Sequence, residues 1–447
     1  MKNIKQWMVL AFVMSALIFT GCDEELSNPT FDDNAVPRIF GWYNTLTTQE
    51  GDTVTINPQV SPADNAIFAW YVDSVKVSEE LDFSYVFNMD NNNSILRFEV
   101  TRNGVKNYRE ASVVVLSDFK PKAYNKKMVG FITRDGSIDD IDLNNLTHLV
   151  ISSAVVGEVE GRESLADTTF TNLDIPLLAK VAHNAGVYVL LDVTGDIINL
   201  NGGGYYANYG FFNVISDAGK QAKAMETVVK FCADNDLDGI NIYLNNTSEG
   251  YLDPDIVSAF FSSIPSYLPE ETPRGKFFYT ASVPGGWTTG VLSAIATVPE
   301  IDWVNLHAFR YEDLTATAHS PLWALSGLVD SWTGFGMPKD KIVGGFPAFG
   351  LHYFLPEDLS TVTWGNLWQY TAYESYKNIL TRDAEAHNKN VLPVDDGIFY
   401  DGLNEVEQKA QYVIDQDLGG LMIWSLESDT RTEGKSLLAK AYKALGN

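Results

Sequence analysis

The stretch FCADNDLDGINIYLNN, residues 231–246, decides the fold of this chain. Ahead of it, small and apolar residues recur at steps of three and four, which predicts one buried helix face: Ala218, Ala222, Met225, Val228, Val229 and Cys232. Asn235 and Asp236 then break the helix. Residues 237–244 form a short apolar run with Gly239 inside it, which predicts a buried strand directly after the helix.

The same alternation of helical and apolar stretches continues along the rest of the chain. Eight apolar runs are candidate strands: 128–133, 146–156, 187–193, 237–244, 277–283, 303–309, 342–346 and 420–426. Eight strands over about 320 residues are the number and length that a (β/α)8 barrel needs. Periodicity alone would also permit a large doubly wound sheet.

The fourth run resembles the strand-four signature of family 18 glycoside hydrolases, the chitinases and endo-N-acetylglucosaminidases, which reads D-G-x-D-x-D-x-E. The corresponding residues here are Asp238, Gly239, Asn241, Tyr243 and Asn245. The segments KMVGFIT, LTHLVISSAVV, KIVGGFPAFG and GGLMIWSLESD resemble the first, second, seventh and eighth strands of that family. The resemblance covers residues 124–447 and implies a TIM barrel, an α/β fold.

The same resemblance implies that the catalytic machinery is incomplete. In the family, the final glutamate of the signature protonates the glycosidic oxygen, and the aspartate two residues earlier orients the N-acetyl group of the substrate. A general acid must hold and release a proton near neutral pH, which the amide of Asn245 cannot do. Tyr243, with an ordinary pKa near 10, is neutral. Asn241 completes a set of degenerate positions, so we expect no family-type hydrolysis.

Two other strand ends depart from the family pattern. The third strand usually ends in S-x-G-G, whereas residues 192–195 read DVTG and begin with Asp192. The sixth usually carries M-x-Y-D, whereas residues 307–310 read HAFR. An aromatic plane therefore remains at Phe309, while a cation, Arg310, replaces the carboxylate.

The remaining side chains suit carbohydrate, which is held by stacking on aromatic rings and a few hydrogen bonds. Trp424 matches the tryptophan that floors the family's cleft. The full set of predicted ligand-binding residues is Trp424, Tyr243, Asn245, His307, Phe309, Arg310, Trp287 and Asp192. Further aromatic candidates lie in strand-to-helix loops: Tyr205, Tyr206, Tyr209, Trp364, Trp368 and Tyr370. For Asn241 we favour a core role, and for His307 we leave open a core or a cleft position.

The N-terminal part of the chain follows a different pattern. Between residues 31 and 116 apolar residues alternate with polar ones, and turn signals separate the runs. We predict a β-sandwich over residues 33–119, similar to PKD-like or immunoglobulin-like spacer modules, with Trp70 as its core aromatic residue. A spacer role is favoured over direct glycan binding.

Residues 1–22 have the pattern of an export signal, with Lys2 and Lys5 before an apolar run too short to span a bilayer. Small residues before Cys22 resemble a bacterial lipobox, so we expect lipidation of Cys22. The acidic linker 23–32 resembles the tract found in surface lipoproteins of the Bacteroidetes. Together they predict a lipid-anchored protein on the outer face of an outer membrane.

Composition excludes several classes of function. The formal net charge of −27 argues against binding nucleic acid or an anionic membrane surface. The two cysteines, Cys22 and Cys232, are not expected to pair, and Cys232 is predicted to be a buried free thiol. The six histidines show no metal-ligand spacing, and we expect neither a metal nor a cofactor.

These observations predict a non-catalytic surface lipoprotein that captures a glycan, of the chitin or N-glycan type, beside an outer-membrane transporter of a polysaccharide-utilisation system. One alternative is a glycosidase with a relocated acid, for which Glu427, Asp192 and Glu249 are the carboxylates to test. Another is a structural or protein-binding pseudoenzyme. Residues 351–415 are expected to be too short for the extra α+β lobe of some chitinases, which predicts a shallow, open cleft.

Overall fold

The computed structural model describes residues 34–116, 118–157, 165–196, 211–246, 254–285, 292–309, 319–363 and 366–447. They divide into two compact units, one that ends before Asp118 and one from Asp118 to Asn447. None of the helices in these ranges is long and apolar enough to cross a membrane.

The first unit is all-β, as predicted. Its described residues form nine strands: β1 (Arg38–Phe40), β2 (Thr45–Gln49), β3 (Thr53–Ile56), β4 (Gln59–Ser61), β5 (Ala66–Val72), β6 (Val75–Ser78), β7 (Phe83–Val86), β8 (Ile95–Arg102) and β9 (Val105–Leu116). They form a five-stranded sheet in the order β2-β9-β8-β5-β6 and two pairs, β1-β4 and β3-β7. Trp70 is fully buried and its ring lies 4.4 Å from both Phe83 and Phe98, which confirms it as the core aromatic residue.

The second unit contains the predicted barrel. Its strands are β10 (Lys127–Ile132), β11 (His148–Val156), β12 (Ala166–Asp167), β13 (Tyr188–Asp196), β14 (Gly239–Asn246), β15 (Glu271–Thr272), β16 (Gly275–Lys276), β17 (Phe278–Pro284), β18 (Trp303–His307), β19 (Ile342–Pro347), β20 (Phe349–Tyr353), β21 (Thr371–Ser375), β22 (Val391–Leu392), β23 (Ile398–Phe399) and β24 (Gly420–Trp424). Eight of them pair in parallel in the order β10-β24-β19-β18-β17-β14-β13-β11, and β11 pairs with β10 to close the ring. All eight predicted strands are therefore present.

Helices lie outside this ring of strands. The described α-helices are α1 (Ile175–Asn184), α2 (Phe211–Ile215), α3 (Ala218–Asp234), α4 (Pro254–Ser263), α5 (Leu322–Gly334), α6 (Tyr376–Arg382), α7 (Leu403–Asp415) and α8 (Leu437–Ala444). Their apolar sides pack with the outward-facing residues of the strands in one large core. This is the layered arrangement of a (β/α)8 barrel.

The predicted helix before strand β14 is present as α3, and Met225, Val228 and Cys232 of its predicted face are buried. The buried residues include Gln221 and Ala224, whereas Ala218 is exposed. The Gln221 amide donates to the Ser263 hydroxyl of α4, which gives this polar side chain a partner on the buried side. Cys232 on this helix is a buried free thiol, as predicted.

The segment after strand β19 contains more structure than its length suggested. Strands β20 to β23 form a four-stranded antiparallel sheet in the order β21-β20-β23-β22, and helix α6 follows β21. We call residues 349–399 the insertion. The expectation that this segment is too short for an added α+β element is therefore corrected, because strands of two to five residues suffice to build the sheet.

The two signature residues that match the family pattern lie at the amino end of the barrel. Asp238 is fully buried, and its carboxylate accepts a hydrogen bond from the Val189 backbone N–H at 2.7 Å. The same carboxylate pairs with His183 Nε2 at 2.8 Å and with Arg274 Nε. These contacts join β13, β14, α1 and the hairpin β15-β16, so Asp238 is a structural residue of the barrel.

The two ends of the barrel unit are joined directly. The side-chain oxygen of Asn447 accepts from the backbone N–H groups of Asn125, at 2.7 Å, and Lys126, at 3.1 Å. Its amide nitrogen donates to the Lys126 carbonyl at 2.9 Å. The residue that precedes the first barrel strand is thus bonded to the residue that follows the last helix.

Gly239 allows strands β14 and β17 to approach each other, and its replacement should destabilise the barrel. A Cβ atom at this position would lie 2.5 Å from the Phe278 carbonyl oxygen, so Gly239→Ala forces backbone to move. We expect the free energy of unfolding to fall by about 2–3 kcal/mol, measured by urea denaturation followed by tryptophan fluorescence.

Gly327→Ala is the matched control. Gly327 lies within α5, and a Cβ there would meet no atom within 4 Å. Alanine favours a helix over glycine by up to about 1 kcal/mol, so this variant should be as stable as the parent or more stable. Equal unfolding midpoints for the two variants would contradict the packing argument.

Candidate functional site

The interior of the barrel holds two layers of different chemistry near its carboxyl end. Residues two apart on a strand point to the same side and lie about 6.6 Å apart along it. Three strands therefore each place a lower and an upper residue inside the barrel: Asn241 and Tyr243 on β14, Asn305 and His307 on β18, and Met422 and Trp424 on β24. We call the hydrogen-bonded set around Asn241 the polar layer, and the rings above it the aromatic layer.

Asn241 is the hub of the polar layer. Its Nδ2 donates to Asp192 Oδ1 at 2.7 Å and to Ser282 Oγ at 3.0 Å. Its Oδ1 accepts from Thr280 Oγ1 at 2.9 Å and from Asn305 Nδ2 at 3.0 Å. One neutral side chain on β14 thus connects β13, β17 and β18, and its core position agrees with the role favoured from the sequence.

Asp192 completes this layer. It is fully buried, and its other oxygen accepts from Ser152 Oγ at 2.8 Å. Burial raises the pKa of the Asp192 carboxyl from its ordinary value to about 7, although the hydrogen bonds from Asn241 and Ser152 act to lower it. An aspartate at position 241 would put two carboxylates within hydrogen-bonding distance of each other, where like charges repel. The amide of Asn241 is therefore the complement of Asp192.

The aromatic layer covers the polar layer on the carboxyl side. The rings of Tyr243 and His307 are stacked, with centroids 4.4 Å apart and planes 21° from parallel. Trp424 lies 5.2 Å from His307 and 5.1 Å from Phe131, and it also contacts Tyr243 at 6.0 Å. Phe309 packs against His307 at 5.1 Å. Five predicted or neighbouring rings therefore form one continuous cluster at the mouth of the barrel.

The exposure of these rings differs sharply. Tyr243 is 8% exposed, Phe309 5% and His307 2%, so these three are almost enclosed. Trp424 is partly exposed at the carboxyl end of β24. The structure thus brings four of the predicted ligand-binding residues together and presents Trp424 as their accessible member, with His307 as a packed ring of the cluster.

Several predicted residues lie outside the described part of the chain. These are Arg310, Trp287, Glu249 and Cys22, the loop tyrosines Tyr205, Tyr206 and Tyr209, and Trp364. The backbone of Asn245 belongs to β14, but its side chain also lies outside the described residues. Trp368 is described and is 66% exposed on the insertion.

Glu427, one of the candidate relocated acids, holds the end of one strand to the end of another. Its carboxylate accepts from Thr133 Oγ1 at 2.5 Å, from Thr133 N at 3.4 Å and from Ser425 Oγ at 2.6 Å. Thr133 follows β10 and Ser425 follows β24. All three groups donate to the carboxylate, which thereby connects the ends of β10 and β24.

Residues that could bind a metal do not converge in the described ranges: no three His, Cys, Asp or Glu side chains there surround a common point. The thiol of Cys232 is unreactive, because burial raises its pKa well above the ordinary value.

Three contributors to the site were not predicted from the sequence. Phe131, Ser282 and Asn305 are buried inside the barrel and contact the predicted residues. The alternation along each strand contained a signal for them, since Ser282 and Asn305 are polar residues within apolar runs that face the interior. The sequence does not show which of these strands are neighbours, however; that follows from the order of the strands in the closed barrel.

Comparison with protein families separates the chain into the same two parts. Residues 127–429 match the model of Glycosyl hydrolases family 18, and residues 43–101 match that of the PKD-like domain. Human Chitinase-3-like protein 2 is 24% identical over 281 residues, which cover 54% of this chain and 70% of that protein.

Solved structures give the same fold. The family 18 chitinase ChiB from the chitin utilization locus of Flavobacterium johnsoniae superposes with a TM-score of 0.55 at 20% identity, covering 72% of this chain and 94% of ChiB. Human YKL-39, a pseudo-chitinase with retained chitooligosaccharide binding properties, has a TM-score of 0.55 at 17% identity, covering 72% of this chain and 100% of YKL-39.

The buried carboxyl of Asp192 predicts a pH dependence of stability. Its pKa is raised in the folded state, so the folded protein keeps this proton up to about pH 7 whereas the unfolded chain releases it near pH 4. The stabilisation is complete below about pH 4 and is lost as the pH rises through 7. In Asp192→Asn this contribution is absent, and we expect the fall in the free energy of unfolding between pH 4 and 8 to shrink by roughly 3 kcal/mol.

Urea titrations at pH 4, 6 and 8 would measure this difference. Asp330→Asn, on the exposed side of α5, is the control and should keep the parent profile. A profile for Asp192→Asn that parallels the parent would show that the proton on Asp192 does not control stability.

Proposed function

This chain belongs to glycosyl hydrolase family 18, and we propose that it binds a glycan at the carboxyl end of its barrel without cleaving it. The observation that carries this proposal is the chemistry of the signature strand. Three positions of the signature that are carboxylates in the family pattern are Asn241, Tyr243 and Asn245 here. The amides of Asn241 and Asn245 have no proton to transfer near neutral pH, and Tyr243 replaces the carboxylate that orients the substrate in the family pattern.

The surroundings of Tyr243 support the loss of catalysis. Its ring is stacked on His307 and is almost enclosed, so it fills the space at the centre of the aromatic layer. Asn241, which lies beneath it, forms these four hydrogen bonds with residues of neighbouring strands. These contacts hold both side chains within the packed interior of the barrel. We therefore propose that the catalytic motif is degenerate.

The aromatic layer supports glycan binding. A partly exposed tryptophan, held from below and from the side by three further rings, presents a flat apolar surface to the C–H face of a sugar. Human YKL-39, which has the same barrel fold, is described as a pseudo-chitinase with retained chitooligosaccharide binding. We therefore propose an oligosaccharide that contains N-acetylglucosamine as the ligand and Trp424 as its main contact.

A relocated acid is the first alternative. The pKa of Asp192, about 7, lies in the range that a general acid needs, but this carboxyl is fully buried beneath the aromatic layer. Glu427 is occupied by Thr133 and Ser425. The burial of Asp192 and the hydrogen bonds of Glu427 therefore argue against either residue as the acid.

A structural or protein-binding role is the second alternative. The enclosure of Tyr243 and His307 favours it, because a mouth filled by the protein's own rings needs no ligand for its stability. Replacement of Trp424 distinguishes this role from glycan binding. It lowers the glycan affinity if the barrel binds a glycan, and it has no effect on glycan binding if the role is structural.

The proposal extends to the location of the protein. The apolar run and small residues before Cys22 are the pattern of a lipoprotein signal, and the acidic linker that follows suits export to the cell surface. We propose a lipid anchor on Cys22 in an outer membrane, where the chain would present captured glycan to a transporter complex and separate hydrolases.

Replacement of Trp424 tests glycan binding. Trp424→Ala removes the exposed ring, and we expect the affinity for chitohexaose to fall about 30-fold, measured by isothermal titration calorimetry. Trp323→Ala is the control, because Trp323 is 65% exposed on α5, outside the barrel. Chromatography of the same samples should show intact chitohexaose. Released product would overturn the non-catalytic claim, and unchanged affinity in Trp424→Ala would overturn the assigned contact.

Replacement of Cys22 tests the anchor. Without the thiol no acyl chain can be attached, so Cys22→Ala should move the protein from the membrane fraction to the soluble fraction and abolish palmitate labelling. Cys232→Ala is the control, since this thiol is buried in the barrel unit and should not affect localisation. Labelling that persists in Cys22→Ala would contradict the proposed anchor.

A further inference from the structure

A cavity lies where the end of the insertion meets the starts of helices α5 and α7. Its volume is about 230 Å³, which is several times the space that one water molecule takes in the liquid. Asn390 and Val391 are exposed at its rim, whereas Ser320 and Asp401 on its floor are each 2% exposed. The cavity is therefore a recess with buried polar groups at its inner end, and a small organic molecule would fit it.

A buried ion pair fixes the floor of this cavity. The ammonium group of Lys409, which is fully buried on α7, bonds to the carboxylate of Asp401 and donates to Ser320 Oγ at 2.7 Å. Ser320 Oγ in turn donates to the Ala308 carbonyl at 2.9 Å. Because each of these groups is bonded to the next, the Asp401 carboxylate has a fixed position at the inner end of the cavity.

Glu405, in the first turn of α7, supplies a second carboxylate. Its Oε1 accepts from the backbone N–H of Leu322, the first residue of α5, at 3.0 Å, and its Oε2 accepts from Asn390 Nδ2 at 3.3 Å. The positive end of the α5 dipole is thus already paired with a carboxylate of the protein itself. Since a carboxylate offers about four acceptor positions, Glu405 can accept further hydrogen bonds from a ligand.

Several donor groups of the lining are already bonded within the protein. The hydroxyls of Ser320 and Tyr400 each donate to a backbone carbonyl, and the amide of Asn390 donates to Glu405. The ring of His319 packs against the first strand of the insertion sheet. The carboxylates therefore remain as the hydrogen-bonding groups that this lining offers, and they act as acceptors.

The charges and the apolar wall of the cavity suit a small cation. Burial raises the pKa of the Asp401 carboxyl to about 6, so this group is ionised at pH 8. Asp401 and Glu405 together carry two negative charges, whereas the adjacent Lys409 supplies one positive charge. Val391 and Phe399 form an apolar wall beside them. One further positive charge, carried on an apolar body, would balance the charges and cover this wall.

We propose that this cavity binds a small primary amine, with its ammonium group at Asp401 and Glu405 and its apolar body against Val391 and Phe399. An ammonium group has three N–H donors, and its hydrogen bonds to carboxylates are stronger than those between neutral groups. The described lining shares no residue with the aromatic layer around Trp424, so this inference and the proposed glycan binding stand or fall separately.

The test compares benzylamine with benzyl alcohol, an uncharged molecule of similar shape. Each is titrated calorimetrically at pH 8 into the wild-type chain and into Glu405→Gln, whose amide oxygen still accepts from Leu322 but carries no charge. We expect the wild type to bind benzylamine at least about tenfold more tightly than benzyl alcohol. Glu405→Gln should lose most of this difference, because it removes one of the two charged acceptors.

Glu407→Gln is the matched control. Glu407 lies on the same helix, pairs with Lys440 at 2.8 Å and is outside the described lining of the cavity, so this variant should bind benzylamine as the wild type does. Melting temperatures of the three proteins are expected to agree, because glutamine at position 405 keeps the bond to Leu322.

Three results would overturn the amine site. They are no binding of benzylamine by the wild type, equal affinities of the wild type for benzylamine and benzyl alcohol, and an unchanged benzylamine affinity in Glu405→Gln. A crystal structure of the wild type soaked with benzylamine gives a second measurement that does not depend on a variant. The nitrogen should lie within hydrogen-bonding distance of Asp401 and Glu405, and a ligand found only elsewhere would contradict the proposal.

Discussion

The hydrogen bonds of Asn241 are the constraint on which the centre of the barrel depends. A closed ring of eight strands must be filled by side chains, and polar groups inside it must find partners. Asn241 can donate to Asp192 and accept from Thr280 and Asn305 because an amide has both kinds of group. The aromatic layer rests on this hydrogen-bonded set.

The barrel could be predicted because its strands are buried on both faces and therefore read as continuous apolar runs. The insertion could not. Its strands β22 and β23 have two residues each, too few to show any alternation, and they are held by backbone pairing with β20. The burial of Gln221 on α3 was not predicted either, because its partner, Ser263, lies on another helix.

The site was predicted in part, for a similar reason. Trp424, Tyr243 and His307 follow the strand ends, which must meet at one edge of a parallel barrel, and the structure brings their rings into contact. Phe349 was not predicted, since its contact with Phe309 depends on the tertiary packing of the insertion. The raised pKa of Asp192 was likewise not predicted, because it results from burial, which the position of this residue in the sequence does not reveal.

The hydrogen bonds between Asn447 and residues 125 and 126 have a consequence for the order of the barrel's elements. They hold the two ends of this unit together, so that its backbone is almost a closed loop. The same strands could therefore be formed by a chain that begins at a different loop. A short peptide joining the two ends would leave each strand pairing intact. The barrel is therefore suited to circular permutation, with new termini placed at a loop on the face away from Trp424.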